Sequence, residues 1–177
     1  SVENINYNGK NIVIKSAEGP LATILVPANN SISVVSIINN ETADTFLSGF
    51  TIKDGGLLRG AAINISHSSP IIENCILKDC VNSSNFGDQT AIRFVHSLSE
   101  IRNCLVNNNH TGFYFDAQDN SLGPKIINCT VINNQTGFLR SSGNGVPEIY
   151  NSIIYGNGTN TNGSLIITHS LDRKSVV

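Results

Sequence analysis

The sequence contains no methionine and no tryptophan, and only 14% of its residues are charged. Soluble domains usually carry about 25% charged residues. The net charge is -2 and basic residues form no run, which excludes a surface that follows nucleic-acid phosphates. The apolar runs, such as 12–14 and 165–167, are far shorter than a bilayer-spanning helix requires. We therefore expect no nucleic-acid partner and no membrane span.

Cysteine is scarce, and its spacing indicates neither a disulfide framework nor a metal site. Cys75 and Cys80 form one CxxxxC pair, and no second pair has similar spacing. A tetrahedral zinc site needs several converging ligands, so we expect no metal and no other cofactor. Cys75, Cys104 and Cys129 are expected to pack inward as small apolar side chains. The histidines are scattered, although His67 and His96 align and are expected to be neighbours at one strand end.

Two residue types are abundant instead, with 25 asparagines and 23 isoleucines among 177 residues. Asparagine favours turns and tolerates the left-handed backbone region, whereas isoleucine favours strands. No sustained i, i+3, i+4, i+7 apolar spacing indicates a helix. This composition predicts an all-β chain of many short strands joined by tight corners.

Internal repeats decide the expected fold. Four segments superimpose without gaps, and each carries an Asn followed by Cys or Ser: they are 70–77, 99–106, 124–131 and 147–154. A second repeat lies between them at 62–65, 91–94, 112–115 and 137–140. A coil of roughly 25 residues cannot bury its own apolar face, but stacked coils pair every strand with neighbours roughly 4.8 Å above and below. The repeats predict about six stacked coils.

Equivalent positions of stacked coils should touch. We expect two interior columns, Ile72, Ile101, Ile126 and Ile149, and Leu77, Val106, Val131 and Ile154. We also expect an asparagine ladder, a stack of hydrogen-bonded side-chain amides, at one corner. Its predicted members are Asn74, Asn103, Asn128 and Asn151.

These segments carry a resemblance to a known family. Gly-Lys-Asn-Ile-Val-Ile-Lys-Ser at 9–16, Leu-Ser-Gly-Phe-Thr-Ile at 47–52 and Ser-Pro-Ile-Ile-Glu-Asn at 69–74 resemble the parallel β-helix repeat proteins of the pectin-lyase-like superfamily. The nearest likeness is to large secreted bacterial members of unassigned function. The resemblance implies a single-chain right-handed parallel β-helix solenoid and a secreted or cell-surface location. It does not imply one activity, because that superfamily includes lyases, hydrolases, adhesins and inert spacers.

The expected β-helix domain covers residues 1–171, and 172–177 are expected to form a tail outside the repeat. The family that the chain resembles usually begins with an additional strand and cap, and here the repeat pattern stops at Leu171. Truncation at both ends is therefore expected. Open coil edges would then favour an end-to-end homo-oligomer.

One outward surface is the candidate site. On the strands that contain Ile63, Ile92 and Phe113, alternation predicts one outward column of Asn64, Arg93, Tyr114 and Leu139, and a second of Ser66, Val95, Asp116 and Ser141. Asn64, Arg93, Tyr114 and Asp116 are the candidate carbohydrate-binding residues. The resemblance is to a superfamily whose polysaccharide-active members use an Arg or Lys on a comparable face as a catalytic base. It therefore implies Arg93 as the candidate for such a base. Glycosidases need a facing pair of carboxylates, and only Asp116 lies in these columns, so no catalytic residue is assigned.

Two functions follow from this surface. The first is a non-catalytic β-helix module of an exported or surface protein that contacts polysaccharide. The alternative is a polysaccharide lyase or glycoside hydrolase that acts in a groove along Arg93, Tyr114 and Asp116.

Overall fold

The computed structural model describes residues 1–55, 61–81, 89–116, 123–141, 143 and 145–173. Residues 174–177 of the predicted tail lie outside this part of the chain. The described residues are all-β and include no helix. In chain order the strands are β1 (Ile5–Asn6), β2 (Val13–Lys15), β3 (Ile24–Leu25), β4 (Val35–Ile37), β5 (Phe46–Ser48), β6 (Thr51–Lys53), β7 (Ala61–Ser66), β8 (Ile71–Glu73), β9 (Ile76–Lys78), β10 (Thr90–Val95), β11 (Glu100–Arg102), β12 (Leu105–Asn107), β13 (Thr111–Asp116), β14 (Lys125–Ile127), β15 (Thr130–Ile132), β16 (Thr136–Arg140), β17 (Glu148–Tyr150), β18 (Ile153–Tyr155), β19 (Thr159–Asn162), β20 (Ile166–Thr168) and β21 (Leu171–Arg173).

The strands form three parallel sheets of seven strands each. The first sheet has the order β1-β4-β7-β10-β13-β16-β19, the second runs from β2 to β20 and the third from β3 to β21, each taking every third strand. The chain therefore visits the three sheets in turn and then starts the next coil. The predicted parallel β-solenoid is confirmed. Its right-handed winding stays a prediction.

Both predicted interior columns are confirmed. Ile101 pairs in register with Ile72 below it and Ile126 above it, and Val106 lies in the same way between Leu77 and Val131. All eight members of the two columns are fully buried. Burial of each such side chain contributes about 1.5–3 kcal/mol to the free energy of folding. Apolar residues that recur at equivalent positions of the repeat therefore form a continuous core.

The first sheet contributes an aromatic core. The rings of Phe94, Phe113, Phe115 and Phe138 stack with centroids 5.1–6.5 Å apart. All four side chains are fully buried. This packing gives the strands that carry the candidate site a rigid backing.

The predicted cysteine column is also confirmed. Cys75, Cys104 and Cys129 are free thiols and at most 2% exposed. Each sulfur donates to the carbonyl two residues earlier, as Cys104 Sγ does to the Arg102 oxygen at 3.3 Å. Ser152 takes the same position one coil further on and makes the equivalent bond at 2.8 Å. The column therefore holds small hydrogen-bond donors, and its thiols serve packing.

The predicted asparagine ladder is wrong. Asn74, Asn103, Asn128 and Asn151 do stack in register, but their side chains are exposed and no hydrogen bond joins them within the described residues. Their φ angles lie between 48° and 53°. Asparagine is present at this corner because it tolerates the left-handed backbone that the turn requires.

The true ladder lies at the corner between the third and first sheets. Asn109 Nδ2 donates to Asn134 Oδ1 at 2.9 Å, and Asn134 Nδ2 donates to Asn157 Oδ1 at 2.9 Å. Asn157 Nδ2 then donates to Asn160 Oδ1 at 3.0 Å, so Asn160 caps the ladder from within the same coil. At the other end Cys80 N donates to Asn109 Oδ1 at 3.0 Å. These four asparagines are at most 4% exposed, so the ladder supplies partners inside the protein for buried amides.

Candidate functional site

The outward face of the first sheet carries the candidate residues in the predicted columns. Arg93 pairs in register with Asn64 on one side and Tyr114 on the other, and Tyr114 pairs with Leu139. All four side chains are partly exposed, while the residues between them point into the core. The structure therefore brings together Asn64, Arg93 and Tyr114 as neighbours on one outward face.

Asp116 joins this group through an ion pair. Arg93 Nη2 lies 2.5 Å from Asp116 Oδ2, and the two side chains are 34% and 24% exposed. Ser141 Oγ donates to the other carboxylate oxygen of Asp116 at 3.0 Å. A partly exposed ion pair of this kind contributes about 0.2–1 kcal/mol. Its larger effect is to fix the guanidinium beside Tyr114 and to neutralise its charge.

Two polar atoms on this face have no hydrogen-bond partner within the described residues. They are Asn64 Oδ1 and Arg93 Nε, which belong to in-register neighbours and are both occluded from solvent. An unpaired buried polar atom costs about 1–3 kcal/mol. A ligand that formed a hydrogen bond with either atom would therefore remove this cost, once a small side-chain movement had exposed the atom.

The aligned histidines lie at the end of the same strands. The rings of His67 and His96 are tilted by 39° with centroids 4.9 Å apart, which confirms the predicted neighbourhood. His67 Nδ1 is 2.9 Å from Ser66 Oγ. Two imidazoles supply only part of a zinc coordination shell. Within the described ranges, no group of three His, Cys, Asp or Glu side chains could hold a metal ion.

A shallow depression of about 490 Å³, open to solvent and called the cavity below, lies at the ladder corner, and the sequence analysis did not find it. It is lined by Val81, Asn108, Asn109, His110, Asn133, Asn134, Gln135 and Gly156. These residues come from successive coils. Two of the coils contribute the triplets 108–110 and 133–135, whose middle members belong to the ladder, and Val81 and Gly156 are single residues from the coils on either side. The repeated Asn-Asn at 108–109 and 133–134, 25 residues apart, is the sequence signal that could have indicated this corner.

The sequence analysis also missed a buried carboxylate, Glu41, which is 2% exposed. Its oxygens accept from Asn39 N at 2.7 Å, from Ser68 Oγ at 2.8 Å and from Gly9 N at 2.9 Å. Burial by itself raises the pKa of Glu41, but the bonds from Asn39, Ser68 and Gly9 lower it below its usual range on balance. These partners come from three successive coils, so Glu41 ties the coils together.

Two of the four cysteines, Cys104 and Cys80, are poorly suited to chemistry. Hydrogen bonding with Cys129 and Cys75, together with burial, raises the pKa of the Cys104 thiol well above its usual value. Burial raises the pKa of Cys80 to about 12. Because the thiolate is the nucleophile and metal ligand, these two cysteines remain unreactive thiols at neutral pH.

These features define the chain as a parallel β-solenoid with a mixed polar and aromatic surface on one sheet. Comparison with family models, with curated proteins and with solved structures gave no match to this chain. None of the residues that the structure describes forms a helix long and apolar enough to cross a membrane.

Proposed function

We propose that this chain is a non-catalytic module of an exported or cell-surface protein, and that the outward face of its first sheet contacts polysaccharide. The observation that supports this most is the position of Tyr114 beside Arg93, whose guanidinium is held by Asp116 at 2.5 Å. An aromatic ring beside fixed polar groups on a rigid sheet suits a sugar, which presents apolar C–H faces and hydroxyl groups. Asn64 adds an amide on the other side of Arg93.

The proposal favours binding over catalysis for an electrostatic reason. A guanidinium that is paired with a carboxylate is less available as a base, and Asp116 is bonded through both oxygens. Acid and base catalysis of glycoside hydrolysis needs a second carboxylate facing the first. Neither outward column around Arg93 supplies one.

The exported location and the right-handed, pectin-lyase-like type are parts of the same proposal. Their support is the resemblance of segments 9–16, 47–52 and 69–74 to that superfamily.

A glycan array tests the binding face. We expect the wild-type chain to bind at least one polysaccharide, and Tyr114→Ala to lose most of that signal. Tyr155→Ala is the matched control, since Tyr155 is a half-exposed tyrosine on the third sheet. Equal loss in both variants, or no binding by the wild type, would contradict the proposal.

The competing lyase or hydrolase has its own test. If incubation with acidic or neutral polysaccharides releases products, and Arg93→Ala abolishes the release, the module is an enzyme and the proposal of a non-catalytic role is wrong.

A further inference from the structure

The cavity at the ladder corner has the size of a ligand site. Its volume of about 490 Å³ falls within the roughly 300–1,000 Å³ of small-molecule sites. It is separate from the Arg93 and Tyr114 face. Its lining residues lie at the corner between the third and first sheets, whereas Arg93 and Tyr114 lie within strands of the first sheet. An inference about it does not depend on the function proposed above.

The walls of the cavity are held rigidly. Asn109 and Asn134 at its base are ladder members, bonded through both their backbone and side-chain nitrogens. Beside them, His110 N donates to the Cys80 carbonyl at 3.0 Å and Gln135 N donates to the Asn109 carbonyl at 2.9 Å. A preformed wall loses little entropy when a ligand binds.

Uncharged amides dominate the lining. The side chains of Asn133 and Gln135 are exposed and make no hydrogen bond within the described part of the chain. Each therefore offers an NH₂ donor pair and a carbonyl acceptor. Asn108 Nδ2 donates to Asp79 Oδ1 at 2.6 Å, which fixes the orientation of that amide and leaves its Oδ1 as an acceptor.

The cavity also provides apolar contact and an open side. Val81, half exposed, lies at its edge. Gly156, with a φ of 66°, follows Asn133 in the column of left-handed residues and has no side chain to fill the space. The described lining contains no Lys, Arg, Asp or Glu. A negatively charged ligand would find no cation in this described lining, and the Asp79 carboxylate is hydrogen-bonded to Asn108 at its edge.

We propose that this cavity binds an uncharged sugar unit of a polysaccharide, with the amides of Asn133 and Gln135 bonded to its hydroxyl groups and Val81 against its C–H face. The imidazole of His110 supplies a further hydrogen-bonding group. This assigns the site to neutral glycans, and we expect uronate polymers, which find no cation in the described lining, to bind more weakly.

The test is an NMR titration of the whole chain with cellohexaose, mannohexaose and laminarihexaose as neutral probes and hexagalacturonate as the acidic probe. We expect at least one neutral probe to produce saturable shifts of the Asn133 and Gln135 side-chain NH₂ signals, with a Kd that changes less than twofold between 0.05 and 0.5 M NaCl. Asn133→Gly, which keeps the left-handed backbone, and Gln135→Ala should each weaken binding at least fivefold. Asn128→Gly is the matched control, because it removes an equally exposed left-handed asparagine from a different corner.

Several outcomes would overturn the inference. They are the absence of saturable shifts at these amides with every neutral probe, an equal loss in Asn128→Gly, or tighter binding of hexagalacturonate. Tyr114→Ala separates the two proposals. If binding at the cavity persists in this variant, the inference stands even when the sheet face binds nothing. If binding depends on Tyr114 and causes no shifts at Asn133, the inference about the cavity is overturned and the proposed function stands.

Discussion

Asparagine has two different roles within a single coil of this protein. Asn128 is exposed with a φ of 52°, so its role is to permit a left-handed corner. Asn134, six residues later, is 2% exposed and hydrogen-bonded on every side. The same residue type therefore contributes to stability through backbone conformation at one position and through buried hydrogen bonds at the other.

Replacement of Asn134 by leucine should be severely destabilising. Its amide donates to the Val106 and Ile132 carbonyls and to Asn157 Oδ1, and its oxygen accepts from Asn109. Each buried group left unpaired costs about 1–3 kcal/mol, so we expect a loss of more than about 3 kcal/mol in the free energy of unfolding. Urea denaturation at neutral pH measures it.

Asn128→Leu is the control for that substitution. It removes an exposed amide and places a branched side chain in the left-handed region, which costs about 1–2 kcal/mol. A loss as large as that of Asn134→Leu would contradict the assignment of the two roles.

Glu41 should make stability depend on acid pH. Its folded pKa is lower than its unfolded pKa, so its ionised form stabilises the fold above the unfolded value of about 4.3. That contribution is lost as pH falls through the folded pKa. We expect Glu41→Gln to be less stable than wild type at pH 7, and the difference to shrink towards pH 2. Thermal melts across this range measure it, and a difference independent of pH would contradict the expectation.

The strands and corners show what a sequence can predict about elements. The interior columns that contain Ile101 and Val106 could be predicted from the aligned repeats, because residues at equivalent positions of stacked parallel coils are in contact. The outward columns followed from simple alternation. The ladder was placed at the wrong corner because two asparagine columns recur with the same spacing, and only burial distinguishes Asn128 from Asn134.

Other features could not be predicted from the sequence, because they depend on contacts between residues that are not equivalent in the repeats. Glu41 gathers partners from three coils, and the cavity beside Asn133 depends on the relative depth of neighbouring corners. The Arg93 and Asp116 pair joins residues in different columns, one coil and two positions apart. The sequence placed both on one face, but the pairing itself required coordinates.

The ladder corner can be extended by one residue. Cys80 occupies the position next to Asn109, and its sulfur already lies near the N–H groups of Gly55 and Ala62 and 3.6 Å from the Lys78 carbonyl. In Cys80→Asn the new amide would accept from Gly55 and donate to Lys78. We expect it to be about 1 kcal/mol more stable than Cys80→Ala, a typical net gain for a buried hydrogen bond. Chemical denaturation of both variants checks this, and a less stable asparagine variant would contradict it.

At the scale of the whole molecule, every strand pairs only with the coils directly above and below. Stability in such a stack is close to a sum of coil and nearest-neighbour terms, so damage should remain local. Ile126→Ala leaves a cavity that typically costs about 2–5 kcal/mol. Hydrogen exchange followed by mass spectrometry should then show lost protection first in β11, β14 and β17.

Leu47→Ala is the reciprocal variant, since Leu47 is equally buried and lies in the same sheet. Its lost protection should appear in β2, β5 and β8. If both variants gave one uniform loss across the second sheet, the chain would unfold as a single cooperative unit and the nearest-neighbour description would be wrong.

The asparagine ladder gives the solenoid an electrical direction. Among the bonds between side chains, Asn109 donates to Asn134 and Asn134 to Asn157, each in the next coil, and Asn157 donates to Asn160 in its own coil. The side-chain dipoles are thus aligned head to tail, and each bond polarises the next by an amount in the range of about 10–30%. Removing a central amide should consequently weaken the bonds on both sides of the gap, so that two simultaneous ladder substitutions cost less than the sum of their separate effects.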